Sequence, residues 1–414
     1  MVRGILGSNN TKKIYLEPIW KLPISAKYFT SAPPDGYEFV RGDDDRSRFF
    51  LSASRYALSY RFLNIFDKVI PTVVAASVLK KWRKPPPGTA LTYAYGGHLV
   101  FRPEPWVVSM EYPGMLLGGD VKHLVRGRRF LAKTFASPWC KKIMCEYEAA
   151  RQALLTTVDC APFLEKVTVL LPPPPPLPHF EKPPQKGPVK LFTLGSGNIK
   201  GEFAARGIPE VIEMFLILRQ KYPGLELVVR SDMPSAYRQR CQGISGLRII
   251  DRVIPRAQLE QEFAAADIFV LPSHGTYPFT LMEAMSWELP VVTRNSFANP
   301  EFVEDGRTGF LVTASKHVPY YYRDTLHPNF GSPAFQKAIQ TSDPESVADL
   351  VRKVSLLIED AEMRQRLGKA ARQEVAVGKL SRAVRNEKLK KILDEVTGGE
   401  VLGNYSWGKQ FLYI

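Results

Sequence analysis

The segment ADIFVLPSHGTYPFTLMEAMSWELPVVTR, residues 266–294, decides the fold. Its first apolar run, IFVL, is too short for a helix and too continuous for a strand with one wet face. A loop carrying His274, Gly275, Thr276 and Tyr277 follows, then FTLMEAMS with apolar residues at helical spacing, then the second run PVVTR. Two continuous apolar strands joined by a helix form a unit whose strands run parallel and are covered on both faces.

The same rhythm extends outward in both directions. VKLFTL (189–194) precedes IPEVIEMFLILRQKY (208–222), LELVVRS (225–231) precedes PSAYRQRC (234–241), LRIID (247–251) precedes RAQLEQEFAAA (256–266), and ANPEFVED follows at 298–305. This predicts a doubly wound, Rossmann-like domain. In the first half KIYLE, ALTYAY, PWVVSM, KKIMCEY and EKVTVLL read as strands of a second α/β domain, shortened and less regular. The proline-rich stretch LLPPPPPLPHFEKPPQKGP, 170–188, lacks backbone donors and favours extended chain, so the domain boundary falls there. The expected division is 1–180, 181–380, and a C-terminal helix and tail at 381–414 that packs back on the first domain. Asp343 and Ser381 stand where helix N-caps belong.

A length of 414 residues with 45% hydrophobic content supports two cores. The formal charge of +15 lies mostly in the first half and fits nucleic acid, an anionic membrane or an acidic substrate. Nucleic acid is the weakest of these, since no recognition helix or stacking platform accompanies the basic residues. LNIFDKVIPTVVAASVLKKWRK (63–84) and KHLVRGRRFLAK (122–133) read as ordinary domain helices with basic ends, or as a surface for anionic lipid. Four scattered cysteines suit a reducing compartment, and no run approaches a membrane span. The expected location is cytoplasmic, with peripheral membrane attachment as the alternative.

Residues 266–312 resemble the C-terminal domain of glycosyltransferase family 4, retaining enzymes of GT-B fold that use nucleotide-diphosphate sugars. The shared pattern is an aliphatic strand, Pro-Ser, a loop, Glu-Ala-Met, Pro-Val-Val, and the turn EFVEDGRTGFLV. The resemblance implies two Rossmann-like domains facing across a cleft, with the donor as substrate and neither cofactor nor metal. It assigns Glu283 to the ribose hydroxyls, which an ionised carboxylate accepts well. The family's first glutamate would fall on Gly275. Backbone amides of Gly275, Thr276 and Tyr277 replace it, or His274 does, or sugar binding is lost; His274 otherwise reads as a solvated loop residue.

The turn LFTLGSGNIKGEFAARGIPEVIEMF (191–215) suits a diphosphate at a helix N-terminus, with Gly195 and Ser196 in the turn and Lys200 and Arg206 as cations. By resemblance Ser231 lies near phosphate, and Arg252 and Val253 near the base. Glu111 stands where the family places a histidine; it faces a sugar or caps a turn, and His98 is its rival. RGDDDR (41–46) reads as a solvated loop rather than a metal site. TASKHVPYYYRDTLHPNFGSPAFQ (313–336) reads as a packed insertion, with a cleft-lining loop as alternative. The function implied is retaining hexosyl transfer to a glycan, lipid-linked, anionic or other small acceptor; a non-catalytic nucleotide-sugar binder or partner subunit is the other class.

Overall fold

The computed structural model describes residues 11–18, 28–41, 72–79, 84–180, 182, 187–196 and 202–398. Lys200, residues 42–46 of the acidic run, most of 63–84 and the tail past 398 lie outside the described residues.

Among the described residues there are two parallel six-stranded sheets. The first contains β1 (Lys12–Pro18), β2 (Tyr37–Val40), β3 (Thr89–Tyr95), β4 (Trp106–Met110), β5 (Cys140–Cys145) and β6 (Val167–Val169), ordered β2-β1-β3-β4-β5-β6. The second contains β7 (Lys190–Leu194), β8 (Glu226–Arg230), β9 (Leu247–Ile250), β10 (Ile268–Leu271), β11 (Val291–Arg294) and β12 (Gly309–Val312), ordered β12-β11-β10-β7-β8-β9. Every residue of β4, β10 and β11 is buried, which is why these strands carry unbroken apolar runs. The edge strand β2 is new relative to the sequence reading. Its YEFV has one buried position out of four, too little pattern to distinguish from loop.

The helix Arg382–Thr397 crosses back and covers the outer face of the first sheet. Leu389, Ile392 and Leu393 pack with Ile14, Leu16, Tyr93 and Met144. Tyr37 donates to Asp394 at 2.7 Å, and Lys142 meets Glu395 at 2.7 Å. Asp343 and Ser381 do cap their helices, accepting from the amides of Glu345 and Val384.

The proline stretch is a packed strap. Pro172 to Pro175 are buried. Extended proline leaves its carbonyls without internal partners, and arginines take them: Arg385 reaches Leu171, Arg382 reaches Pro174 and Arg372 reaches Pro178.

The two domains share one continuous apolar core. Tyr147 stands edge-on to Phe297 and Phe302 at 6.0 and 5.8 Å. Helix Glu148–Thr157 has no cap from its own sequence. Glu301 of the second domain supplies one, accepting from the amides of Glu148 and Ala149 at 2.7 and 2.8 Å.

Candidate active site

Parallel sheets present their loops, and hence their ligands, at the carboxyl ends of the strands. At that edge of the second sheet Gly195 follows β7, its amide bound to the Arg230 carbonyl at 2.7 Å. A Cβ on Gly195 would lie 2.1 Å from the Ser231 hydroxyl, so only glycine lets the two loops meet. Ser196 lies in the same turn, its carbonyl accepting from the Asp232 amide. Ser231 is wholly buried beneath this contact and donates to the Asp232 carbonyl. It shapes the turn and presents no group to solvent.

Helix Ile208–Lys221 starts on Gly207 with φ +69° and no side-chain cap. A Cβ there would approach the Pro272 carbonyl to 2.4 Å. Helix Pro278–Ser286 also begins uncapped, on Tyr277. Arg206 lies between these two helix starts. Its guanidinium stacks on the Tyr277 ring at 3.8 Å, pairs with Glu202 at 2.9 Å and contacts the Thr280 hydroxyl at 3.4 Å. Arg230 ends β8 beside it, and its buried Nε has no partner among the described residues. Burial lowers the Arg230 pKa and the charge of Arg206 lowers it further. Two neighbouring guanidiniums and two uncapped helix starts are an arrangement whose electrostatics favour an anion.

Glu283 projects from helix Pro278–Ser286 and is nearly buried. Burial raises its pKa, and the guanidinium of Arg256, bonded to Oε1, opposes the rise. Oε2 takes no hydrogen bond among the described residues. Arg252 and Val253 sit on the loop after β9, both exposed, with Val253 60% accessible.

Beside this site a cavity of about 440 Å³ opens between the domains, within the usual size for small ligands. The first domain contributes Glu111, Tyr112 and Tyr147; the second contributes Glu202 and the loop Gly275–Thr276–Tyr277. Met110 lies opposite Cys145 in the register of β4 and β5, so Glu111 and Glu146 leave adjacent strands side by side. Burial raises the Glu111 pKa to about 7, helped by Glu202. Burial and then the charge of Glu111 raise Glu146 to about 8, against a partial offset from Arg385. The repeated Glu-Tyr after two successive strands, in SMEY and MCEY, is the signal that could have found Glu146 and Tyr147. Nothing local marks Glu202, Arg230 or Arg256, whose roles depend on residues distant in the chain.

His274 departs from both sequence expectations, since it is neither solvated nor open to the cavity. It is 1% exposed, with Nδ1 on the Tyr320 hydroxyl at 2.9 Å and Nε2 on Glu210 at 3.1 Å. Arg294 completes the cluster at 3.0 Å from Glu210. With both ring nitrogens engaged, His274 has no group to offer a donor sugar. His98 is likewise buried, 3.5 Å from Glu17. Burial would raise the Glu17 pKa, but hydrogen bonds and charge from His98 and Arg102 hold it at about 2.

Gly275 lines the cavity in a conformation open to any residue. A Cβ would meet only the rings of Phe330 and Tyr277, at 3.8 Å. Thr276 accepts from the Ala298 amide at 3.2 Å. The inserted segment after β12 lines the cleft: Phe330, Phe335 and Gln336 form its wall, and His327 reaches the first domain to accept from the Gly114 amide at 3.0 Å. A second cavity of about 400 Å³ borders Lys190, Glu226 and Arg248 at the opposite, amino edge of the second sheet.

Residues 194–320 match the family described as "Glycosyl transferases group 1". The chain is 26% identical over 174 residues to sulfoquinovosyl transferase SQD2 of Arabidopsis thaliana, covering 41% of this chain and 28% of that protein. It is 30% identical over 96 residues to D-inositol 3-phosphate glycosyltransferase of Thermobifida fusca, covering 23% and 22%. The chain therefore matches less than a third of these relatives' lengths. Among solved structures it is similar to Anabaena HepE, determined with UDP and glucose, at a TM-score of 0.55 and 14% identity over 93% of this chain and 99% of that one. TarM of S. aureus superposes with a TM-score of 0.50 at 12% identity, covering 73% and 54%.

Proposed function

We propose that this chain, which has the GT-B fold and carries a group 1 glycosyltransferase domain, moves a hexose from a nucleotide-diphosphate sugar to an acceptor with retention. The observation that supports it is the crowding of Arg206 and Arg230 between two uncapped helix starts, at the carboxyl edge of the sheet and next to a chamber shared by both domains. The diphosphate neutralises those guanidiniums, Glu283 Oε2 accepts the ribose hydroxyls, and the sugar enters the chamber. The helix starts and guanidiniums stabilise the leaving diphosphate, which helps deprotonate the acceptor on the face it departs from. Glu111 faces the positive charge that develops on the sugar ring. Nucleotide-induced thermal stabilisation tests the donor site, because a ligand that binds only the folded state raises its melting temperature. Uridine, guanosine and adenosine diphosphates form the panel, and absence of any shift refutes the reading.

Glu283→Ala should weaken nucleotide binding by roughly 10–100-fold, the value of one charge-assisted hydrogen bond or slightly more. Calorimetric titration of the bound nucleotide measures it. Unchanged affinity removes the ribose assignment. Gly275→Glu should fold normally, since the added Cβ meets no atom closer than 3.8 Å. It adds a further carboxylate to a chamber that already holds two, so initial transfer rates should fall. A rise would mean that the glycine marks a degraded site, and would favour the non-catalytic binder.

A partner surface belongs to the same reading. Helix Val121–Ala136 buries Leu124, Leu131 and Phe135 and exposes Lys122, Arg126, Arg128, Arg129, Phe130 and Lys133. No helix among the described residues is long and apolar enough to cross a membrane. Attachment to an anionic bilayer through this face predicts sedimentation with phosphatidylserine vesicles that fades with salt and is lost on reversing Arg128 and Arg129. Equal recovery on neutral vesicles would reject it.

A further inference from the structure

Two of the residues lining the chamber are charged, Glu111 and Glu202, and both are acids. Glu111 and Glu146 stand side by side on the first domain and Glu202 faces them from the second. Among the described residues, two cations that act on these acids have other partners. Arg206 is engaged by Glu202 and the Tyr277 ring. Arg385 is bound to the Leu171 carbonyl and Asn386, and offsets Glu146 only in part. The hydroxyl of Tyr147 is the second observation. Tyr147 is 1% exposed and borders the cavity, yet its hydroxyl has no partner among the described residues. Around these groups the rings meet edge to face: Tyr112 with Phe330 at 5.9 Å, Phe297 with Phe330 at 5.6 Å, and Tyr147 with Phe297 at 6.0 Å.

Carboxylates without a full complement of cations, inside a frame of aromatic rings, favour a ligand that brings a positive charge and an apolar ring face. Anionic ligands meet repulsion there. Resting on the reading of this cleft as a transfer site, we propose that the acceptor is an amino-bearing pyranose, its ammonium held by Glu111 and within reach of the Tyr147 hydroxyl, its ring against the aromatic wall. Burial raises the pKa of both Glu111 and Glu146. A ligand ammonium would favour their ionised form.

Ligand-observed NMR titration of D-glucosamine, D-glucose and D-glucuronate at pH 7 tests this, with and without saturating UDP. Glucosamine should bind on the order of tenfold tighter than glucose, the value of one charge-assisted hydrogen bond, with glucuronate weakest. The preference should collapse in Glu111→Gln and diminish in Glu202→Gln, two variants that keep side-chain shape and are checked for an unchanged fold by melting. Glucose binding as well as glucosamine, glucuronate binding best, or no binding of any of the three overturns the proposal. So does a preference that survives both substitutions. UDP binding is read in the same samples. A protein that takes UDP but shows no amine preference loses this inference alone, whereas one that takes no nucleotide loses the donor reading too.

Discussion

Arg294→Met should destabilise the protein by about 3–5 kcal/mol, the usual consequence of removing one partner from a buried ion pair. Arg294 is wholly buried at the end of β11, and its guanidinium binds the Pro272 carbonyl, the Ser346 hydroxyl and Glu210. Burial would raise the Glu210 pKa, but the hydrogen bond from His274 and the charge of Arg294 hold it below the usual carboxylate range. Methionine fills the space and leaves Glu210 ionised with only His274 beside it. Because these residues anchor the helix that starts on Gly207 and the loop that begins at Pro272, nucleotide affinity should fall with stability. Equilibrium urea unfolding measures the first effect. A loss below about 1 kcal/mol would mean the cluster relaxes or admits water.

Glu111→Gln should lower kcat by about 10²–10³, the loss found when one group that stabilises transition-state charge is removed. The amide keeps the shape and hydrogen-bonding reach of the side chain but not its charge. Its pH behaviour separates this role from a turn-capping one. With the Glu111 pKa near 7, wild-type activity should climb as pH rises through 7, and the variant should lose that limb. Stability runs the opposite way. A carboxyl whose folded pKa is raised keeps its proton where the unfolded chain has released it, so its stabilising contribution is full below the unfolded value near 4.5 and is lost as pH rises through about 7. At pH 8 Glu111→Gln should therefore be more stable than wild type, by up to about 3 kcal/mol. A capping role predicts lower stability at every pH and little change in kcat.

The alternation of apolar runs and helices was readable because parallel strands buried on both faces leave unbroken Val, Ile and Leu in the chain. Ten of the twelve strands among the described residues coincide with runs singled out as strands; β12 lay within the family turn and β2 escaped through its short pattern with a single buried position. The helix caps were readable for a similar reason, since a cap acts within three residues of itself. The places of Gly195, Arg206 and Glu283 on their turn and helices were legible because they are local, whereas contacts with distant partners were obscure. His274 gains its character from Glu210, Arg294 and Tyr320, and no spacing rule joins those positions. The packing of the proline stretch was not legible in its composition. It runs between β6 and β7, and only the arginines that take its carbonyls make it a buried strap.

The return of helix Arg382–Thr397 to the first sheet has a consequence for synthesis. Ile14, Leu16 and Tyr93 emerge from the ribosome hundreds of residues before Leu389, Ile392 and Leu393, which seal them. Until then the amino-terminal half carries an uncovered greasy flank, the kind of surface on which nascent chains aggregate or recruit chaperones. The lobe translated first is thus completed last.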